Sequence, residues 1–187
     1  MSMRIVVFLV CLFKLLSIAY SEALSLTAEQ QTRLEAIAKN LEVIAKEPEL
    51  IAAVKEANAQ LGGPSKPNQE MIQEVWKTLS VRDPKVRKYS ENVTAKWLKS
   101  KVKAQSISEA FVSARDGTKV AFLEKTTNWN HTGKPKHEVP MKGKPWRGVP
   151  ELDESSGHWQ IQLSFPVLEG PNSIGSIVFG VPIGAFN

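Results

Sequence analysis

Apolar residues recur every three or four positions through the first half of the chain and at alternate positions through much of the last half. The first pattern is helical and the second is that of strands with one covered face. Thr27 followed by Gln30 has the form of a capping box, in which the threonine accepts a backbone N–H and the glutamine reaches back. Behind it Leu34, Ile37, Ala38, Leu41, Ile44 and Ala45 form one stripe. Pro48 interrupts this stripe and suits the first turn of a continuation carrying Leu50, Ile51, Val54 and Leu61, closed by Gly62-Gly63-Pro64. A second helix is expected over roughly 68–80, with Met71, Ile72, Val75, Trp76 and Leu79 on its apolar side. A third, Pro84 to Lys103, is expected to bury Val86, Tyr89, Val93, Trp97 and Leu98 and to turn its lysines to water.

Near Ser106 the period changes. "ISEAFVSAR" and "TKVAFLE" alternate on either side of Asp116-Gly117, a hairpin signal. "WRGVPEL" follows a Lys- and Pro-rich loop, and after a turn at "DESSG" come "HWQIQLSFPV" and "SIGSIVFGVPI", joined through "LEGPN". In the first of this last pair Trp159, Ile161, Leu163 and Phe165 face one way, and His158, Gln160, Gln162 and Ser164 the other. The last strand is apolar on both faces, which predicts a central place in the sheet. Helices followed by an antiparallel meander make an α+β domain.

The N-terminus changes the picture of location. Arg4 precedes an apolar run from Ile5 to Phe13, Lys14 interrupts it, and Leu15 to Ala19 continue it. Small residues then allow cleavage after Ser21 or Ala23, the pattern of a secretory signal peptide over residues 1–23. The run is shorter than the roughly 20 residues that span a bilayer. The expectation is therefore an exported, periplasmic or secreted domain over 24–187, helical over 26–104 and sheet over 106–183, that does not span the membrane after cleavage. Cys11, the single cysteine of the chain, would leave with the signal, which excludes disulfide and thiolate chemistry from the remainder.

Charge is unevenly spread. Residues 66–147 hold 18 Lys and Arg against 8 Asp and Glu, whereas residues 148–187 hold four acids and no Lys or Arg. A basic middle suits an acidic surface or a small anion; nucleic acid is not expected, since no reading motif accompanies it. Candidate catalysis is thin. His131, His137 and His158 lack the spacing of a metal site. Ser155-Ser156 lack a nucleophile elbow, and Asp153-Glu154 sit in a turn that uses carboxylates locally. No catalytic residue, no metal and no cofactor are expected.

One stretch, "TTNWNHTGKPKH" over 126–137, stands out between the two strand regions. It continues as a loop from His131 to Lys144 without periodicity, and long loops of that kind carry function more often than short ones. Trp129 is read either as a pocket wall or as a core residue. His131 is either a ligand contact or a surface histidine, and Lys144 and Arg147 either bond a carboxylate or are ordinary surface charge. Gln160, Gln162 and Ser164 are either a wetted face or a pocket floor.

The C-terminal half resembles the extracytoplasmic Cache-type sensor domains, also called PDC domains, which have a PAS-like fold. The resemblance rests on Ser108-Glu109-Ala110-Phe111-Val112 with Asp116-Gly117, on Thr127-Asn128-Trp129, on Asp153-Glu154-Ser155-Ser156, on Ile161 to Val167 and on Ile174-Gly175. It implies a long N-terminal helix lying along a sheet of about five strands. It also implies a small-molecule pocket on the other face, lined by Asn128, Trp129, His131, Trp146, Arg147, Gln160 and Gln162. Domains of this kind bind small carboxylates or amino acids and signal through a membrane receptor or kinase. Here the acidic loop pattern of the family is replaced by Asn128 to Lys134, with three acids missing and a lysine gained, which points to an anionic ligand. Two functions stay open: an exported sensor domain acting through a separate receptor, or a non-binding interaction module that sets its basic face against an acidic partner.

Overall fold

The structure, a computed structural model, describes residues 26–61, 71–154 and 157–186. The expected signal peptide lies outside the described residues. Helix α1, Ala28–Ala45, starts at the Thr27–Gln30 capping box, with both reciprocal bonds present. Helix α2, Pro48–Leu61, begins on the expected proline. Leu34, Leu41, Ile44, Leu50 and Val54 of these two helices are buried against the sheet.

Three shorter helices follow: α3, Gln73–Thr78; α4, Pro84–Ser90; and α5, Val93–Val102. The second helix is thus shorter than the periodicity predicts. The single helix expected from Pro84 to Lys103 is broken at Glu91 and Asn92. Asn92 causes the break: its Oδ1 accepts from the Ala95 N–H at 2.8 Å as an N-cap, and its Nδ2 donates to the Val120 carbonyl at 2.9 Å. The break rotates Val93 out to solvent at 84% exposure, against the expectation that it is buried.

The sheet has six antiparallel strands: β1, Glu109–Ala114; β2, Lys119–Phe122; β3, Trp146–Arg147; β4, Glu151–Leu152; β5, Trp159–Glu169; and β6, Asn172–Pro182. Their order is β2-β1-β6-β5-β3, with β4 also on β5, so the doubly apolar last strand is central as expected. "WRGVPEL" splits into β3 and β4, which accounts for one strand more than predicted. Gly117 adopts φ 77° after the Asp116 turn, and a Cβ there would lie 2.5 Å from the Thr132 backbone nitrogen, so only glycine fits. The expected loop from His131 to Lys144 contains a further helix, α6, Pro135–Met141. It is too short to show a repeat, it holds Pro140, and the residues it buries are His137 and Pro140 rather than aliphatics.

The two faces of the sheet differ. Ala110, Val112, Ile161, Leu163, Phe165, Ile177, Phe179 and Val181 form an apolar core under α1, α2 and α5. On the other face Glu109, Ser113, Lys119, Gln160, Gln162, Ser164 and Ser176 are all buried. A smaller apolar cluster at the β2 edge joins Met71, Trp76, Val86, Phe111, Phe122, Trp129 and Val178.

Candidate functional site

The polar face is covered by residues 124–134 and α6, and the covering is pinned at both ends. Asn130 Nδ2 and Thr132 Oγ1 donate to the Asp116 carbonyl at 2.9 and 2.7 Å, and the His131 N–H donates to the Gly117 carbonyl. At the far end Ser164 Oγ donates to the Lys136 carbonyl at 2.6 Å. His137 Nε2 lies 3.3 Å from the Arg115 carbonyl, which can only accept. The ring proton therefore sits on Nε2, and Nδ1 accepts from the Ser176 hydroxyl at 2.8 Å.

Beneath this cover runs a chain of charged and polar groups. Lys136 Nζ donates to Gln162 Oε1 at 2.7 Å, and Gln162 Nε2 donates to Glu109 Oε2 at 2.7 Å, with Gln160 Nε2 at 3.3 Å from the same oxygen. Ser108 Oγ donates to Gln160 Oε1. Lys119 Nζ contacts His131 Nδ1 and lies 3.8 Å from the centre of the Phe111 ring, on which His131 also stacks at 4.6 Å. Burying charge without ample partners costs stability, so a fold does not keep such groups for packing alone.

The titration behaviour follows from this burial. Burial, then the nearby Asp153 carboxylate, raises the Glu109 pKa above the ordinary carboxylate value, with Lys136 opposing. Burial, then Lys136, pushes Lys119 well below the usual lysine value, against the pull of Glu109. Burial and the cations Lys119 and Lys136 depress His131 far below its usual 6.5, and burial depresses His137. A histidine depressed in the fold contributes stability that is complete above about 6.5 and is lost as pH falls through its folded value. Lys119 acts in the same sense and Glu109 in the opposite one. The urea midpoint is therefore expected to fall between pH 7.5 and pH 5.5, and His131→Gln to flatten that fall. An equal fall in the variant would contradict this assignment.

A cavity of about 260 Å³ opens onto this cluster, lined by Glu109, Thr126, Thr127, Asn128, His131, Lys136, Glu151, Leu152, Asp153 and Glu154. A larger one of about 340 Å³ lies between α2, α4 and the β1–β2 hairpin, but the Glu109–Gln162–Lys136 chain does not line it. The smaller cavity is the candidate site because the buried polar groups converge there.

Of the residues singled out from sequence, Asn128 and His131 line this cavity, and Gln160 and Gln162 are buried on the sheet face, both bonded to Glu109. Trp129 is not at the rim. It is 2% exposed and packs on Trp76 and Tyr89 with ring centres 5.2 and 5.0 Å away, while its backbone N–H donates to Gln73 Oε1. Trp146 and Arg147 lie elsewhere as well. They line a separate cavity of about 230 Å³ with Leu34, Ala38, Leu163 and Phe165, because β3 pairs with the outer side of β5 in the register Arg147↔Leu163. Lys144 is exposed and does not line the site. Sequence reasoning missed Glu109 and Lys136 as site groups, and Lys119, which lines the larger cavity and touches the site through His131. The signal was present in Glu109 and Lys119, charged residues inside otherwise apolar strand segments.

No protein-family model matches the sequence, and no curated protein matches it. Among solved structures, the sensor domain of the V. cholerae histidine kinase DctB is similar, with a TM-score of 0.54 and 14% identity, covering 93% of this chain. The chain spans 58% of that domain's length. The ligand-binding domain of the Campylobacter jejuni chemoreceptor Tlp3, in complex with L-valine, gives a TM-score of 0.41 and 11% identity over 84% of this chain and 65% of that one, too slight to argue from. The fold is that of the Cache-type sensor domains, α+β with helices on an antiparallel sheet.

Proposed function

We propose that this chain is an exported sensor domain that binds a small polar metabolite in the cavity under residues 124–137 and acts through a separate membrane receptor or kinase. The observation that carries the reading is the buried Glu109–Gln162–Lys136 chain, which ends at a cavity instead of being sealed within the core. Export accords with the signal-like N-terminus, and no helix among the described residues is long and apolar enough to cross a membrane.

The lining suggests the ligand class. The three acids missing from the loop argue for an anion, yet Glu109, Glu151, Asp153 and Glu154 come to the cavity from other elements. Lys136, Thr126 and Asn128 suit a carboxylate, and the four acids suit an amine. A ligand carrying both, such as an amino acid, fits this lining better than a bare dicarboxylate. Leu152 alone adds an apolar side chain to the lining, so a small or polar side group is favoured.

The test is a thermal-shift and calorimetry screen of the purified protein with amino acids and small carboxylates. Ligand at about 100 times its Kd adds about 2.7 kcal/mol of stability. Lys136→Ala is expected to weaken both classes, and Glu109→Gln to weaken amine-bearing ligands selectively. If no compound in either class shifts the melt at millimolar concentration, the sensor reading fails.

A further inference from the structure

Helices α4 and α5 touch each other and both pack on β2, which forms one edge of the sheet. From Lys77 to Lys103 the chain holds nine Lys and Arg and only two acids. Both acids are engaged locally: Asp83 Oδ1 accepts the Lys85 N–H at 2.8 Å as a helix cap, and Glu91 pairs with Arg87 at 2.7 Å. Acids from elsewhere in the chain pair with Lys77 and Lys101. Among the described residues no ion pair engages Arg82, Lys85, Lys88, Lys96, Lys99 or Lys103, and all six are exposed.

The same surface shows apolar side chains. Val93 is 84% exposed and Val81 61%. On α5, Val93, Lys96, Ser100 and Lys103 fall on one helical stripe, opposite the buried Ala95, Leu98 and Val102. A cluster of acidic groups lies at the other edge of the sheet. Glu151 and Leu152 form β4, which pairs with β5, on the far side of β6 and β1 from β2. Glu151, Asp153 and Glu154 are at the mouth of the candidate cavity, in a stretch without Lys or Arg. The sheet order therefore sets the basic α4–α5 face at one edge and the acidic Glu151–Glu154 stretch at the other, with the cavity reaching between β1 and β4.

We infer that the α4–α5 face docks on an anionic phospholipid surface, with the acidic β4 edge turned away from it. Lysines spread over two helices, with valines between them, match a charged headgroup layer over apolar chains. The centre of a protein interface is instead depleted in lysine and enriched in aromatic residues and arginine. Turning the acidic edge outward removes its repulsion from the same surface. This docking does not depend on what the cavity binds.

The test is co-sedimentation of the full-length chain with vesicles of phosphatidylcholine alone and of phosphatidylcholine mixed with phosphatidylglycerol, at low and high salt. Binding is expected to require phosphatidylglycerol and to weaken with salt. The triple variant Lys96→Gln, Lys99→Gln, Lys103→Gln is expected to bind the mixed vesicles on the order of 100-fold more weakly with an unchanged melting temperature. Equal binding to both vesicle types would show that the apolar N-terminal segment holds the chain, and would overturn the docking face. So would a triple variant that binds like the wild type, or tighter binding to polyglutamate than to the mixed vesicles, which would mark an acidic protein as the partner.

Discussion

Trp129→Ala is expected to cost about 3–5 kcal/mol of folding stability, the range for removing a buried large aromatic. The indole is 2% exposed and forms an aromatic cluster with Trp76, which is fully buried, and with Tyr89. Trp76 in turn meets Phe122 edge-on at 5.8 Å, and its Nε1–H donates to the Thr126 carbonyl at 2.7 Å. The cluster thus ties α3 and α4 to β2 and to the residues that cover the candidate cavity. Truncation at Trp129 would open a void at the meeting point of these elements, against a total stability of roughly 5–15 kcal/mol. Urea denaturation of the variant beside Asn128→Ala makes the check, since Asn128 lines the cavity and its truncation is expected to cost little. A loss below about 1 kcal/mol at Trp129 would return this residue to the role of a pocket wall, where truncation harms binding and spares the fold.

That contrast shows what could be read from residues alone. The capping box at Thr27, the hairpin at Asp116-Gly117 and the central place of β6 rest on short-range patterns, and the structure has all three. The alternation of β5 correctly separated Gln160, Gln162 and Ser164 from Ile161, Leu163 and Phe165. Trp129 could not be placed in this way, because its partner Trp76 is far away in the chain and no local period links them. Arg147 was misplaced for a related reason: a two-residue strand has no alternation of its own, and only its register with Leu163 decides its face. Glu109 and Lys119 were overlooked because a lone charge in a strand looks like a solvent-facing position. What buries them is the cover formed by residues 124–134 and α6, and α6 left no periodic trace.

Adjacent positions on the central strand should respond differently to the same charge. Ile177 is fully buried and lies on the helix-side face, beside Val112 and Phe165 in the strand register. Its surroundings are the apolar cluster beneath α1, α2 and α5, which contains no charged residue. Ile177→Asp would lose an apolar side chain and bury a carboxylate without a partner, together on the order of 5 kcal/mol or more. That matches the lower end of the total stability of such a domain, so the variant is expected to show no cooperative thermal transition and no fixed aromatic near-ultraviolet signal. Val178 is equally buried but belongs to the other face, in register with Phe111 and Ser164. Lys119 Nζ lies over that same Phe111 ring, with Lys136 Nζ 5.9 Å from its centre. A carboxylate at 178 would still sit in the apolar cluster of Trp76, Phe111 and Trp129, but the buried Lys119 and the half-buried Lys136 lie beside the same Phe111, and pairing would offset part of its burial cost. Val178→Asp is expected to remain folded with a lowered melting temperature, and to raise the depressed Lys119 pKa toward its ordinary value. A cooperative melt in Ile177→Asp close to the wild type, or a Val178→Asp variant as fully unfolded as its neighbour, would contradict the division of the sheet into an apolar face and a charged one.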